Sequence, residues 1–256
     1  MERIVNDTQW QVTFMISRKK GDEQPHFQSF QIEVDPDEYV LDGIERIWAM
    51  HDRSLTFRHA CHHSTCGACA MLVNGIEKLT CITTIRSVTK DGGTLQIEPL
   101  RNFQVLSDLV VDMSEFYLNM DLAKTKQVVS LPEATLGYEP KVPESGADYD
   151  RLVDCIECGM CVSACPIALT DSSYLGPGVL AGVHQMIPCS SDPALLDIAD
   201  NENGVWRCHS AYECSEVCPS HVDPGWRIMD LRKKIIGAQL RRIFNRKQME
   251  KKTDEK

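Results

Sequence analysis

Basic side chains are the minority charge in this 256-residue sequence, where 27 Lys and Arg stand against 37 Asp and Glu for a formal net charge of -10. A phosphate backbone is held mainly by clustered cations, so the deficit argues against a nucleic-acid partner. Long apolar runs are missing too. The longest, Leu175 to Pro188, is broken by His184 and Gln185 and falls short of the roughly 20 residues a spanning helix needs. The chain is not expected to cross a bilayer by itself. Its opening, Met1 to Gln11, is polar and mixed in charge, with neither the apolar centre of a secretory signal nor the Arg-rich, acid-poor character of a transit peptide. A cytoplasmic, prokaryotic location is expected. A Gly-rich dinucleotide loop, a nucleophile elbow and a paired His and carboxylate are all absent, which leaves substrate chemistry to a partner.

Cysteine, by contrast, is abundant, with 12 residues. That number suits a disulfide scaffold only in a short secreted chain; in a reducing compartment, clustered thiols hold metal. The length suits two modest domains. Trp10, Val12, Phe14 and Ile16 alternate with polar partners, as do Phe30, Ile32 and Val34, which predicts a hairpin of half-buried strands. Asp37 precedes Val40, Leu41, Ile44, Ile47 and Trp48 at helical spacing, the pattern of a capped helix. Asn74-Gly75 predicts a tight hairpin turn, and Leu95 and Ile97 a closing strand. The pattern weakens around Pro132, Pro140 and Pro143. The expected domains are therefore residues 1–123, a semi-rigid linker over 124–147, and a mostly helical domain over 148–256. Its helices are expected to run into Cys155, near Gly178 to Met186, over Ala194 to Ala199 and from Pro224 onward. In the last of these, Leu231, Ile235, Ile236, Leu240 and Ile243 form an apolar stripe that suits either packing on its own domain or contact with a membrane partner.

Cys61, Cys66 and Cys69 stand at C-x4-C-x2-C spacing with Cys81 after the Asn-Gly turn, the plant-type 2Fe-2S arrangement. Gly67 and Ala68 are small enough to let backbone N–H groups approach the sulfurs. A zinc site is the alternative, although zinc more often uses two separated C-x2-C knuckles. Cys155, Cys158, Cys161 and Cys165-Pro166 form the bacterial ferredoxin run, in which the fourth cysteine serves the other cluster of a pair. The partner run places Cys208 first, Ala211 second, Cys214 third and Cys218-Pro219 fourth. Crossing the fourth ligands gives Cys155, Cys158, Cys161 and Cys218 for a 4Fe-4S cubane. Only Cys165, Cys208 and Cys214 remain for the other site. Ala211 cannot ligate iron, which points to a 3Fe-4S cluster, the alternative being a cubane completed by water or by Tyr212 or His209. Cys189 matches no motif and reads as a small buried hydrophobe. Three one-electron centres in one chain suggest an electron relay.

The order of these motifs, with Cys155-Ile156-Glu157-Cys158-Gly159-Met160-Cys161, Leu175-Gly176-Pro177 and Arg207-Cys208-His209, resembles the iron-sulfur subunit of succinate dehydrogenases and fumarate reductases over nearly the whole length. The resemblance implies an α+β protein in which a beta-grasp plant-type ferredoxin domain precedes a helical bacterial ferredoxin-type domain. It also implies a quinone-linked complex of the EC 1.3.5.1 class, with a flavoprotein partner carrying covalent FAD and membrane-anchor subunits that bind quinone and can carry haem b. The chain would then lie peripherally on the cytoplasmic face of the inner membrane. Electrons would pass between flavin, 2Fe-2S, 4Fe-4S, 3Fe-4S and quinone in that spatial order. His209 matches a family position near the quinone head group; packing on the cluster loop is its other reading.

Two departures stand out. Family members usually read Cys-Arg-x-Gly-x-Cys-Gly at the first motif, whereas this chain reads Cys61-His62-His63-Ser64-Thr65-Cys66-Gly67. His62 and His63 suit hydrogen bonding to sulfur, a Rieske-like ligand exchange, or simple solvent exposure. After Cys165-Pro166, where ubiquinone-linked members tend to place Trp, the residues are Ile167, Ala168, Leu169 and Thr170, which resembles menaquinone-linked fumarate reductases. The competing readings are an iron-sulfur subunit of another flavin enzyme, whose usual CCG-type segments are missing here, and a colourless zinc-stabilised interaction module.

Overall fold

The computed structural model describes residues 9–122, 155–189 and 194–254. The linker over 124–147 and the helix expected to lead into Cys155 lie outside the described residues. The chain divides into two compact units, one of Met1–Glu115 with Ile156–Ala164 and Val217–Ser220, the other of Phe116–Cys155, Cys165–Glu216 and His221–Lys256.

The first unit is built on a five-stranded mixed sheet. Strands β1 (Trp10–Arg18) and β2 (His26–Val34) form the expected antiparallel hairpin, pairing Val12 with Ile32 and Phe14 with Phe30. Helix α1 (Val40–Met50) follows, then β3 (Ala70–Val73), β4 (Ile76–Leu79) and β5 (Thr94–Glu98), in the order β2-β1-β5-β3-β4. Only the β1–β5 contact is parallel, setting Leu95 beside Phe14 and Ile97 beside Ile16. The period-2 apolar face of β1 and the one-sided stripe of α1 close over each other: Val12, Phe14, Ile16, Ile44, Ile47, Leu95 and Ile97 have no exposed surface. Gly43 lets α1 come this close, because a Cβ there would sit 2.5 Å from the Phe14 ring.

Asp37 does not cap this helix. Tyr39 is the N-cap and its N–H donates to the Asp42 carboxylate at 2.9 Å, while Asp37 pairs with Arg86 at 2.7 Å. Trp48 leaves the apolar stripe, 37% exposed, with the Arg53 guanidinium 4.2 Å over its ring. At the β3–β4 turn, Asn74 and Gly75 both adopt positive φ, the demand that favours Asn-Gly. The Asn74 side chain also accepts from the Gln96 N–H and donates to the Val88 carbonyl, fastening the turn to β5. A short ribbon of β6 (Val105–Ser107) and β7 (Val110–Val111) precedes helix α2 (Ser114–Leu122). The first unit also holds α3 (Met160–Ser163).

Every other described element of the second unit is helical: α4 (Pro166–Thr170), α5 (Pro177–Cys189), α6 (Ala194–Ala199), α7 (Glu213–Glu216) and α8 (Pro224–Asp254), with one 3-10 turn over Val205–Arg207. Helix α5 packs on α8 through buried Val179, Leu180, Val183, Ile228, Leu231 and Ile235. Between them the buried His184 meets Asp230 at 2.8 Å. The α8 stripe splits: Leu231 and Ile235 are buried, Ile236 and Leu240 are 45% and 49% exposed, and the Ile243 side chain lies outside the described set. So does that of Cys189, at the end of α5.

Candidate iron-sulfur sites

The loop between α1 and β3 winds around sulfur. His62, Ser64 and Gly67 take positive φ values of 60, 60 and 69 degrees, and this alternation turns successive N–H groups inward, as in an anion-binding nest. The N–H groups of His63, Thr65 and Cys66 reach Cys61 Sγ at 3.5, 3.3 and 3.4 Å, and that of Ser64 reaches Cys81 Sγ at 3.4 Å. The four expected ligands of the first cluster therefore meet: Cys61 contacts Cys66, and Cys81 contacts Cys69 within electrostatic reach of Cys61. The His63 N–H, helped by those of Cys66 and Thr65, holds the Cys61 thiol down to about 6, whereas burial, with the neighbouring Cys69 thiol, pushes Cys81 up to about 11. The loop thus offers hydrogen bonds to negative sulfur, the backbone setting expected around a thiolate-held cluster. His63 contributes by its backbone. The His62 ring turns the other way, towards Glu45 and His59.

Gly67 has a second role. A Cβ there would lie 2.7 Å from Cys158 Cβ and 2.9 Å from its Cα, so the first loop rests directly on an expected cubane ligand within the same unit. Cys158, Cys161 and Cys218 belong to this first unit, whereas Cys155, the other expected cubane ligand, is assigned to the second. Glu157 and Gly159 take positive φ and wind the backbone into α3.

The remaining three cysteines gather in the second unit. Cys165, Cys208 and Cys214 line one cavity together with Ala211, Tyr174, Pro177, Ile228 and His209. Burial, then the mutual repulsion of the sulfurs, raises the Cys165 thiol and pushes Cys214 up to about 12. Three thiolates in so apolar a hollow need an embedded cation to be stable together. The Tyr174 hydroxyl is buried without a well-formed hydrogen bond and lies against the Cys208 sulfur, as it would if it faced a negatively charged cluster. Positive φ at Ser210 and Tyr212 again curls backbone round sulfur, with the Ser210 N–H 3.4 Å from Cys208 Sγ. Arg232 on α8 holds the loop by donating to the carbonyls of Val205 and Cys208.

Tyr174 and the Gly67–Cys158 contact were not foreseen from the residues, although Tyr174 directly precedes the Leu175-Gly176-Pro177 segment.

Two family models match the chain. Residues 13–118 match the model of a 2Fe-2S iron-sulfur cluster binding domain and residues 151–222 that of a 4Fe-4S dicluster domain. The chain is 34% identical over 206 residues to the fumarate reductase iron-sulfur subunit of Escherichia coli O6:H1, covering 79% of this chain and 83% of that one. It is 32% identical to the subunit of the same name from Haemophilus influenzae, covering 79% and 84%, and 33% identical to that of Mycobacterium tuberculosis, covering 82% and 86%. Among solved structures, a chain of the Mycobacterium smegmatis Sdh1 complex in the apo form shares the fold at a TM-score of 0.76 and 24% identity, covering 91% of this chain and 98% of that one.

Proposed function

The chain belongs to the family of iron-sulfur subunits of fumarate reductases and succinate dehydrogenases, and from that premise we propose that it relays electrons between the covalent FAD of a flavoprotein partner and menaquinone bound by a membrane-anchor partner. In this reading Cys61, Cys66, Cys69 and Cys81 hold a 2Fe-2S cluster. Cys155, Cys158, Cys161 and Cys218 hold a 4Fe-4S cluster, and Cys165, Cys208 and Cys214 a 3Fe-4S cluster. The clusters supply the one-electron steps that join a two-electron flavin to a quinone.

The chain's own residues tune and order those steps. Backbone N–H groups on Cys61 and Cys81 stabilise negative charge at the first site, and Gly67 against Cys158 supports direct succession from the first site to the cubane. His209 hydrogen-bonds the quinone head group from the rim of the last site. Menaquinone is favoured by Ile167 to Thr170 after Cys165-Pro166, where a ubiquinone-linked chain would carry Trp. The subunit sits peripherally on the cytoplasmic face of the inner membrane, and its anchor subunit can carry haem b. No helix among the described residues is long and apolar enough to cross a membrane, which fits such a role.

The observation that carries this reading is the cavity that Cys165, Cys208 and Cys214 line together, with the non-ligating Ala211 also in its wall. It is tested by electron paramagnetic resonance of the anaerobically purified complex, with succinate and menaquinol assays on the same preparation. A 3Fe-4S signal is expected when oxidised and a 2Fe-2S signal on reduction, with roughly nine irons per chain. Ala211→Cys should shift the three-iron centre towards a cubane. An unchanged spectrum in that variant, or zinc in place of iron, overturns the assignment.

A further inference from the structure

One convergence of metal-binding atoms in the first unit involves no cysteine. Glu45 projects from α1, and His59 and His62 bracket Cys61 at the entrance to the first loop. His59 Nδ1 lies 3.0 Å and His62 Nε2 3.3 Å from Glu45 Oε1, and the two nitrogens are 3.2 Å apart. His59 stacks on Phe57 with ring centroids 5.1 Å apart, and the His62 ring stands nearly perpendicular to it. Both rings are thereby aimed at the carboxylate.

Protons alone satisfy this triangle poorly. If both imidazoles donate to Oε1, two N–H groups are pressed together at the nitrogen–nitrogen edge. If one imidazole donates to the other, the carboxylate oxygen loses a donor, and Oε1 is in fact buried without a well-aligned hydrogen bond. A cation meets all three atoms at once. Ligands about 2.0–2.1 Å from a tetrahedral ion lie roughly 3.3 Å from each other, close to the three separations observed. An ion at that distance would sit about 1 Å out of their plane, open on the far side to water.

We propose that Glu45, His59 and His62 form a binding site for a divalent first-row metal ion, zinc by preference, separate from the iron-sulfur ligands. Two imidazoles and one carboxylate suit zinc, and zinc binds such nitrogen and oxygen sets more tightly than ferrous iron does. The bound ion ties α1 to the segment on both sides of Cys61, bracing the loop that carries the first three sulfurs. Its positive charge beside that loop also favours the reduced state of the first cluster. The site does not depend on the relay's quinone or partners.

The test uses the complete chain with its clusters, stripped of loose metal with a chelator under anaerobic conditions and dialysed against zinc chloride. Zinc and iron are counted in the same samples. The expected result is one zinc per chain with iron unchanged and a more positive midpoint potential for the 2Fe-2S signal. Glu45→Gln and His59→Ala should each weaken zinc uptake at least on the order of 10–100-fold, the loss that removal of even an outer-shell partner brings. His26→Ala, at an exposed position, should not, and the reduced 2Fe-2S signal reports that each variant is folded. Should a substitution cost the cluster, the unsubstituted protein still decides, because retention of one zinc at full iron content supports the site. Absence of stoichiometric zinc in that protein, zinc that replaces iron, or equal loss in His26→Ala overturns it.

Discussion

The Asp108 carboxylate has no exposed surface, yet it accepts from Lys20 Nζ at 2.7 Å, the Thr56 N–H at 2.8 Å, the Lys19 N–H at 3.0 Å and Arg18 Nε at 3.2 Å. Burial alone would raise its pKa; these donors outweigh burial and hold it below the ordinary carboxylate value. A depressed value means that stability is gained above the unfolded pKa of about 4 and is lost as pH falls through the folded one. Arg18 is itself 6% exposed, and it keeps Asp52 at 2.7 Å when Asp108 is neutralised. Asp108→Asn should therefore cost about 3 kcal/mol at neutral pH, the low end for breaking a buried pair. In urea unfolding across pH, the gap to the natural protein should close below about pH 4. A gap that persists unchanged into acid would contradict this account. None of it was legible in the sequence, because the carboxylate's partners come from segments far apart and form no local pattern. The cysteine motifs were legible for the opposite reason: cluster geometry fixes short spacings, and Ala211 shows as a gap in a regular string.

At the scale of elements, what could be read was whatever repeats. The β1–β2 hairpin, the Asn74-Gly75 turn, α1, α5, α6 and α8 follow period 2 or 3.6 closely enough to be seen, apart from the start of α1, where an Asp42 bond to the backbone displaces the Asp37 cap. Helices α3, α4 and α7 span four, five and four residues, too short to show a period, and they are held by tertiary bonds. Helix α3 illustrates this. Ser163 Oγ donates to the buried Glu77 carboxylate at 2.7 Å and accepts the Arg101 N–H at 2.9 Å. Asn102 Nδ2 donates to the carbonyls of Val162 and Ser163. Ser163→Ala removes a donor to a buried carboxylate, at a cost of about 1–3 kcal/mol. Because α3 carries Cys161, the 4Fe-4S signal should decay several-fold faster in air while the reduced 2Fe-2S signal persists. Equal decay in variant and natural protein would show that α3 is not held through Ser163.

For the whole molecule, the two units are expected to differ in how far their stability depends on iron. The first has a continuous apolar core running through Phe14, Ile16, Ile44, Ile47, Leu95 and Ile97, each fully buried and worth about 1.5–3 kcal/mol. The second surrounds its three sulfurs with helices α4 and α7, far below the roughly 12 residues at which a helix begins to hold alone. Its cavity is walled in part by Cys165 and Cys214, whose thiols are raised chiefly by burial, with repulsion from neighbouring sulfurs adding to it. Metal binding and folding are therefore expected to be coupled more strongly in the second unit than in the first. Stripping iron with chelator and reductant should leave the amides of β1, β2 and β5 protected against hydrogen exchange and release those of α4, α7 and the loop over Cys208–Cys214, with some loss of far-ultraviolet helix signal. Helix α5 should respond less, since its contact with α8 is apolar and its His184–Asp230 bond involves no sulfur. If α7 stays protected without iron, the short helices are held by packing alone; if the sheet exchanges along with them, the first unit's core is not self-sufficient.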